Sequence, residues 1–450
     1  MSGDRVTQVF LASTLYGTAT LAAALDAGSF PAAARRILLT SNHSLTPEVT
    51  PGIDAMPGFE ALRTRFDEVR DWNAFLAPQH PSTWAPRPDD VPLWERQLRS
   101  LWGLGGDRIE LVVESLQVPP AQSLCRLFPG AAVDVYADGL MSYGPTRFRL
   151  DPQIGMRVRR VLHLDLVPGL EPLLLTEFGV PAEPVPAPAF LKVMAELAGL
   201  PDESGYVPPE PCALLLGQYL SALDLMSPAQ EEELHVAMVR GAWERGHREL
   251  VFKPHPSAPA AYSRRAEEEA ERLGARLTVL DAPVPAETLY ERLRPALVAG
   301  CFSTGLLTAR ALYGIPVART GTGPLLARLA PYQNSNRIPL TLVDALVPDL
   351  AAEPADGPGA LEDGAPEDLP GLVTAVGFAM QPRILADRRE RAEAHLARHL
   401  DGRTRHYFNR RRLTTLGLPG GIPAQLSFLP RSPAVRRAVH RLRRGLRRVS

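Results

Sequence analysis

Short apolar runs alternate along the chain with longer stretches of helical period. Residues 6–12, VTQVFLA, are apolar and β-branched, close on Ser13 and Thr14, and give way to an Ala/Leu-rich stretch reaching Ala27. That change of period predicts a strand, a polar turn and a helix. Residues 36–40 and 108–114 repeat the pattern, ending at Ser41, Asn42 and His43 in one case and at Glu114 and Ser115 in the other. Residues 119–128 read as a helix opened by proline and 132–137 as the next strand. Residues 56–104, mostly helical in pattern and rich in Trp, read as an insertion. Prolines crowd 180–188 and recur at Pro201, Pro208, Pro209 and Pro211, which marks a linker zone.

Beyond it the pattern restarts. Strands are expected at 212–216, 249–253, 276–280, 296–299 and 315–318, and helices at 228–246, 262–273, 286–293 and 305–313. Two successive α/β units with parallel, doubly wound sheets follow from this alternation. Such sheets bind ligands at the carboxyl ends of their strands, so two of them facing one crevice make strand-end residues the first candidates. Residues 349–370, rich in Ala, Gly, Pro, Asp and Glu, read as a flexible loop and 381–400 as a charged helix. The predicted units are 1–185, 186–345, 346–402 and a tail, 403–450.

Composition sharpens this picture in two places. Hydrophobic residues make up 45% of the 450, enough for two cores. The net charge of -1 conceals a tail with 13 Arg and no Lys, Asp or Glu after position 402, leaving 36 basic against 50 acidic residues in the rest. Within the tail, Val435, Val439, Leu442, Leu446 and Val449 fall on one helical stripe opposite Arg, the pattern of a helix on an anionic membrane surface. A solvated or chain-docking helix and a site for polyanionic acceptors are the alternatives. An acidic body without a recognised module argues against nucleic acid. Cys125, Cys212 and Cys301, widely spaced in apolar stretches, fit buried thiols of a reducing compartment. There is no signal-peptide pattern at the start and no uninterrupted apolar run of about 18 residues. The expectation is a cytoplasmic protein that touches the inner face of the membrane through residues 431–450.

Chemistry concentrates at strand ends. FKPHPS, 252–257, closes a predicted strand, and Pro256 biases His255 to an extended backbone. An imidazole there suits proton or hydrogen-bond donation to a departing phosphate, and Lys253 adds a cation. AGCFSTGLL, 299–307, passes from strand to helix at Ser303 and Thr304, where amides and hydroxyls favour an anion. DVYADGLMSYG, 134–144, ends a strand at Asp138 and Gly139, offering a carboxylate beside a residue that permits close backbone approach. Glu287 begins a helix where it can meet ribose hydroxyls. Plainer readings stay open: a turn histidine, a hydroxyl helix cap, an Asp-Gly turn, a helix-terminal charge. Ser13, Thr14, Asn42, Glu114 and Gln218 are further cleft candidates, with Gly17, His43, Ser115 and Tyr219 beside them. Neither a G-x-G-x-x-G after 6–12 nor a G-x-x-x-x-G-K-[ST] occurs, and no H-E-x-x-H or close Cys pair suggests a metal.

Taken in order, Asp138-Gly139, His255-Pro256 and Ser303-Thr304 resemble the acidic-acidic-Gly, His-Pro and Ser-Ser/Thr motifs of bacterial sialyltransferases. With FKPHP and the basic tail, the layout over about residues 5–330 resembles the bacterial α-2,8-polysialyltransferase family. That resemblance implies a GT-B fold of two Rossmann-like domains, acceptor-side first, with a CMP-sugar donor, a glycan acceptor, inverting displacement and no cofactor or metal. It implies that Asp138 is the general base and that His255 serves the leaving phosphate, with Ser303 and Thr304 holding the same phosphate and Glu287 near the ribose or base. Ala137 departs from the pattern, standing where the family has a first carboxylate. A GT-B enzyme of UDP-sugar, epimerase or teichoic-acid type, or a non-catalytic nucleotide- or glycan-binding module, are the competing expectations.

Overall fold

The computed structural model describes residues 5–422 apart from 45, 49, 138, 202–204, 209–210, 256–257, 260 and 353–365. Asp138, Pro256 and the basic stripe of 433–449 therefore lie outside the described residues, as does most of the 349–370 segment. Twelve strands appear among the described residues. They are β1 (Val6–Ala12), β2 (Arg35–Thr40), β3 (Glu68–Asp71), β4 (Arg108–Val113), β5 (Ala132–Ala137), β6 (Val158–His163) and β7 (Ala182–Pro184), then β8 (Ala213–Leu216), β9 (Glu249–Lys253), β10 (Arg276–Val279), β11 (Leu297–Gly300) and β12 (Val317–Arg319).

The first seven form one sheet in the order β3-β2-β1-β4-β5-β6-β7, and the last five another in the order β10-β9-β8-β11-β12. Pairing is parallel throughout, with Val9 of β1 opposite Ile37 and Leu111, and Leu214 of β8 opposite Val251 and Val298. Central strands covered on both faces need continuous apolar runs, which is why β1, β4 and β8 stand out in the sequence. In each sheet the order reverses beside its first strand, between β1 and β4 and between β8 and β11. Those reversals open crevices at the carboxyl ends, and the two crevices face each other. This is the GT-B arrangement.

Three elements escape the apolar pattern for physical reasons. Strand β6 carries Arg159 and Arg160, whose guanidiniums grip the fully buried Asp134 at 2.8 and 3.0 Å, so its charge is internal. Strand β7 lies in the proline-rich segment read as linker, and proline is tolerated because the strand forms the sheet edge. Strand β3 lies inside the supposed helical insertion and forms the other edge. Around it Trp72, Trp84, Trp94 and Trp102 pack on one another and on Phe75 and Phe128, several of them edge-on, so the tryptophans build the core and its margin.

Two helices join the halves. The helix Ala187–Ala198 carries Glu196, which grips Arg65 at 2.6 Å, and Phe190, which meets Tyr16 edge-on. Its carboxyl end takes Arg292 of the second half, which donates to Ala198 O at 2.8 Å. The helix Leu369–Met380, buried from Gly371 to its end, returns to the first half. A methyl group on Gly377 would lie 2.7 Å from Leu173, and Gln381 just beyond donates to the carbonyl of Arg147. The charged helix begins later than its composition suggests, at Arg389, and runs to His399. All three cysteines are buried and free. Among the described residues no helix is long and apolar enough to cross a membrane.

Candidate functional site

The carboxyl ends of both sheets line a two-lobed cleft. The larger lobe has a volume of about 1230 Å³ and the smaller about 680 Å³. Ser13, Thr14, His43, Gly139, Gly217, His255, Ser303 and Thr304 border both lobes and so mark their junction. The smaller volume is in the range of a site for one small molecule, about 300–1,000 Å³.

Second-half residues enter the cleft from the loops that follow β9 and β11. Strand β9 ends at Lys253, and two residues later His255 opens onto both lobes. Lys253 is buried, its Nζ donating to Ala282 O at 2.9 Å. Burial lowers its pKa to about 8, against the opposing charges of Asp281 and Glu287. His255 is held below the ordinary histidine value, first by the low-dielectric walls and second by the Lys253 charge, with Glu231 opposing. A bound anion would favour the protonated form of both groups.

Strand β11 hands over to the helix Thr304–Tyr313. Ser303 caps it, its Oγ accepting from Gly305 N at 3.2 Å. Gly305 has no room for a side chain, since a methyl would lie 2.7 Å from the Tyr290 hydroxyl. That hydroxyl donates to Gly305 O at 3.0 Å and fixes the helix start. Gln218 Oε1 accepts from Phe302 N at 2.9 Å, so this candidate borders the larger lobe while supporting the same loop. Glu287 is buried at the start of the helix Ala286–Leu293 and borders only the smaller lobe.

The first half meets the second at Thr304. Leu140 N approaches Thr304 Oγ1 at 3.5 Å, and a methyl on Gly139 would lie 2.9 Å from that oxygen. Gly139 is extended, with φ -149°, so it is required for close approach rather than for a left-handed turn. The turn Leu140–Tyr143 then packs against the helix Arg337–Leu346, where Gly144 faces Ile338. Asp138 lies outside the described residues; its neighbours Ala137 and Gly139 both border the larger lobe, as His255 does.

Other first-half candidates are engaged with one another. Glu114 Oε2 accepts from Ser13 N at 3.3 Å and from the Tyr136 hydroxyl at 3.3 Å. Thr14 caps the helix Leu15–Asp26. Asn42 spends its side chain on the loop behind it, accepting from Ser44 N at 3.1 Å and donating to Thr50 O at 2.8 Å, and touches only the smaller lobe. Gly17 is buried inside its helix and borders neither lobe.

Three residues escaped the sequence reading. Glu231, fully buried, accepts from Leu220 N at 2.6 Å and Ser221 N at 2.9 Å, shaping the loop with Gln218 and Tyr219. Its only signal was the capping box of Ser227 and Gln230 ahead of it. Arg147 and Gln117 border the larger lobe from segments with no regular pattern, and nothing in the sequence pointed to them.

Two parallel sheets with a shared crevice, a lysine and a histidine on one side and a helix start at its centre, belong to the GT-B class of glycosyltransferases. The chain belongs to the alpha-2,8-polysialyltransferase family, whose model matches residues 8–322. No match to a curated protein was found. Among solved structures, similarity extends to the α/β-galactoside α-2,3-sialyltransferase of Photobacterium phosphoreum, at 11% identity and a TM-score of 0.39 over 76% of this chain and 95% of that one. The GT-B domain of the Photobacterium damselae sialyltransferase gives 12% identity and a TM-score of 0.38 over 75% and 96%. Phytolacca americana UGT2, solved with UDP-2-fluoro-glucose and pterostilbene, gives 13% and 0.41 over 91% and 98%.

Proposed function

We propose that this glycosyltransferase moves a sialic or related nonulosonic acid from a CMP-sugar to a glycan hydroxyl by metal-independent, inverting displacement, in the assembly of a cell-surface polysaccharide. The observation that carries the reading is the convergence of Lys253, His255, Ser303 and Thr304 on one hollow, at the point where Gly139 reaches Thr304. A nucleoside monophosphate leaving group suits such a set: one cation, one imidazole and the start of a helix.

In this scheme Asp138 takes the proton of the acceptor hydroxyl as its oxygen attacks the anomeric carbon. The bond from that carbon to the phosphate oxygen breaks, and CMP departs with the electron pair. His255, neutral before the donor arrives, donates a hydrogen bond to the phosphate and gains basicity as charge grows there. Ser303 and Thr304 hold the same phosphate, Glu287 faces the ribose from the smaller lobe, and the larger lobe receives the glycan. Positioning of two reactants is worth at most about 7–11 kcal/mol, and acid–base assistance about 10²- to 10⁴-fold.

Purified protein incubated with CMP-nonulosonates and, separately, with UDP-sugars tests the donor. Release of CMP without release of UDP is expected; the reverse pattern overturns the reading. Binding of a CMP-sugar without hydrolysis or transfer selects instead the non-catalytic module, which the alanine at 137 makes worth testing. We also assign residues 431–450 to an anionic membrane surface. Co-sedimentation with phosphatidylglycerol vesicles should fall when they are removed, and equal sedimentation ends that assignment.

A further inference from the structure

Away from the cleft, three side chains of types that can ligate a metal converge where the last two long helices meet. Asp368 caps the helix Leu369–Met380, its Oδ1 accepting from Gly371 N at 2.8 Å. Its Oδ2 lies 2.8 Å from His395 Nδ1. His399, one turn further along the helix Arg389–His399, stacks on His395 with ring centroids 5.1 Å apart. One donor atom from each of the three lies within 4.8 Å of the others. None of them borders the cleft.

Two further observations separate this cluster from an ordinary capped helix. The side chain of His395 is only 1% exposed, yet its Nε2 has no hydrogen-bond partner among the described residues. The surroundings are also cleared for close approach. A methyl on Gly371 would lie 1.8 Å from Asp368 Oδ2 and 2.6 Å from His395 Nδ1, so only glycine allows the carboxylate and imidazole to meet there.

We propose that Asp368, His395 and His399 form a binding site for a divalent transition ion of the zinc type, with solvent completing the shell. Two imidazoles spaced i, i+4 and a carboxylate are the nitrogen and oxygen set such an ion takes, at about 2.0–2.2 Å per bond. Tetrahedral neighbours then lie about 3.3 Å apart, so the widest pair needs to close by up to about 1.5 Å from 4.8 Å, while Asp368 and His395 part slightly from 2.8 Å. Entry of the ion at His395 Nδ1 displaces the proton shared with Asp368 onto Nε2, so that a neutral imidazole and an ionised carboxylate face the ion. The site ties the start of the helix Leu369–Met380, which braces the first half, to the helix behind it. Its role is structural, and it is independent of the metal-free chemistry proposed for the cleft. The sequence contains the two histidines at helical spacing, but Asp368 stands 27 residues before the first of them and gives no local motif.

The test is cobalt titration of untagged, chelator-treated, full-length protein, followed by zinc competition. One equivalent with the visible bands of tetrahedral cobalt is expected, with a melting temperature that rises with zinc concentration. His399→Ala and the bulkier His399→Gln, both at a half-exposed position, should keep the circular dichroism spectrum and weaken binding at least 100-fold. Absence of stoichiometric binding, or less than a threefold difference between wild type and both variants, overturns the proposal.

Discussion

The two sides of the cleft are built on the same strand order yet prepared for different partners. On the first-half side, Glu114, Ser13, Tyr136 and Asn42 are bonded among themselves or to their own loops, and their polar groups form a settled surface. On the second-half side, burial holds Lys253 and His255 below their ordinary pKa values beside the start of a helix. Such groups gain most from an anion, because binding one offsets the cost of desolvating their charged forms. The same topology therefore yields one wall of mutually bonded polar groups and another whose buried lysine and histidine suit an anion.

The largest effect should come from removing the imidazole. His255→Ala is expected to lower kcat for CMP release about 10²- to 10⁴-fold with the fold intact, and near-normal turnover would erase the asymmetry. Gly139→Ala drives a methyl into Thr304, an overpacking that typically costs about 1–3 kcal/mol. It should lower kcat by roughly tenfold or more while the melting temperature drops by a few degrees, whereas Gly323→Ala, with open space around it, should do neither.

Lys253 sharpens the contrast through pH. Its folded pKa of about 8 means that the donor-free protein loses this charge as pH rises through that value. Donor KM should therefore climb above pH 8, and Lys253→Arg, charged throughout, should flatten the rise. The smallest effect concerns the first-half wall. Burial, with the neighbouring His80 charge second, lowers His43 to about 4, well under its unfolded value near 6.5. Stability from this residue is complete above pH 6.5 and is lost as pH falls toward 4, because the unfolded chain binds the proton first. Thermal melts of His43→Gln should show less acid sensitivity than wild type over that interval.

Strands that are mainly apolar were legible: 6–12, 132–137 and 249–253 match their strands residue for residue, as 286–293 matches its helix. Strand β6 was not, because its arginines neutralise Asp134 inside the protein and look like surface charge in the sequence. The helix Leu369–Met380 was hidden because an apolar stretch beside an acidic, glycine-rich loop carries no period of its own. At the site, motifs adjacent in sequence, such as Lys253 with His255 or Ser303 with Thr304, could be paired on sight. The meeting of Gly139 with Thr304 and the support from Glu231 depend on chain crossings over long separations, which spacing does not encode.

The returning helix has a consequence for how the molecule can be divided. Leu372, Val373, Val376 and Phe378 are sealed against a seat that includes Leu173 from the opposite lobe. Cutting the gene after position 345 would strip that seat bare and leave a sticky hydrocarbon scar on the amino-terminal lobe. Neither lobe is a self-sufficient module for expression, and a split-protein version should work only if the late fragment is supplied in trans.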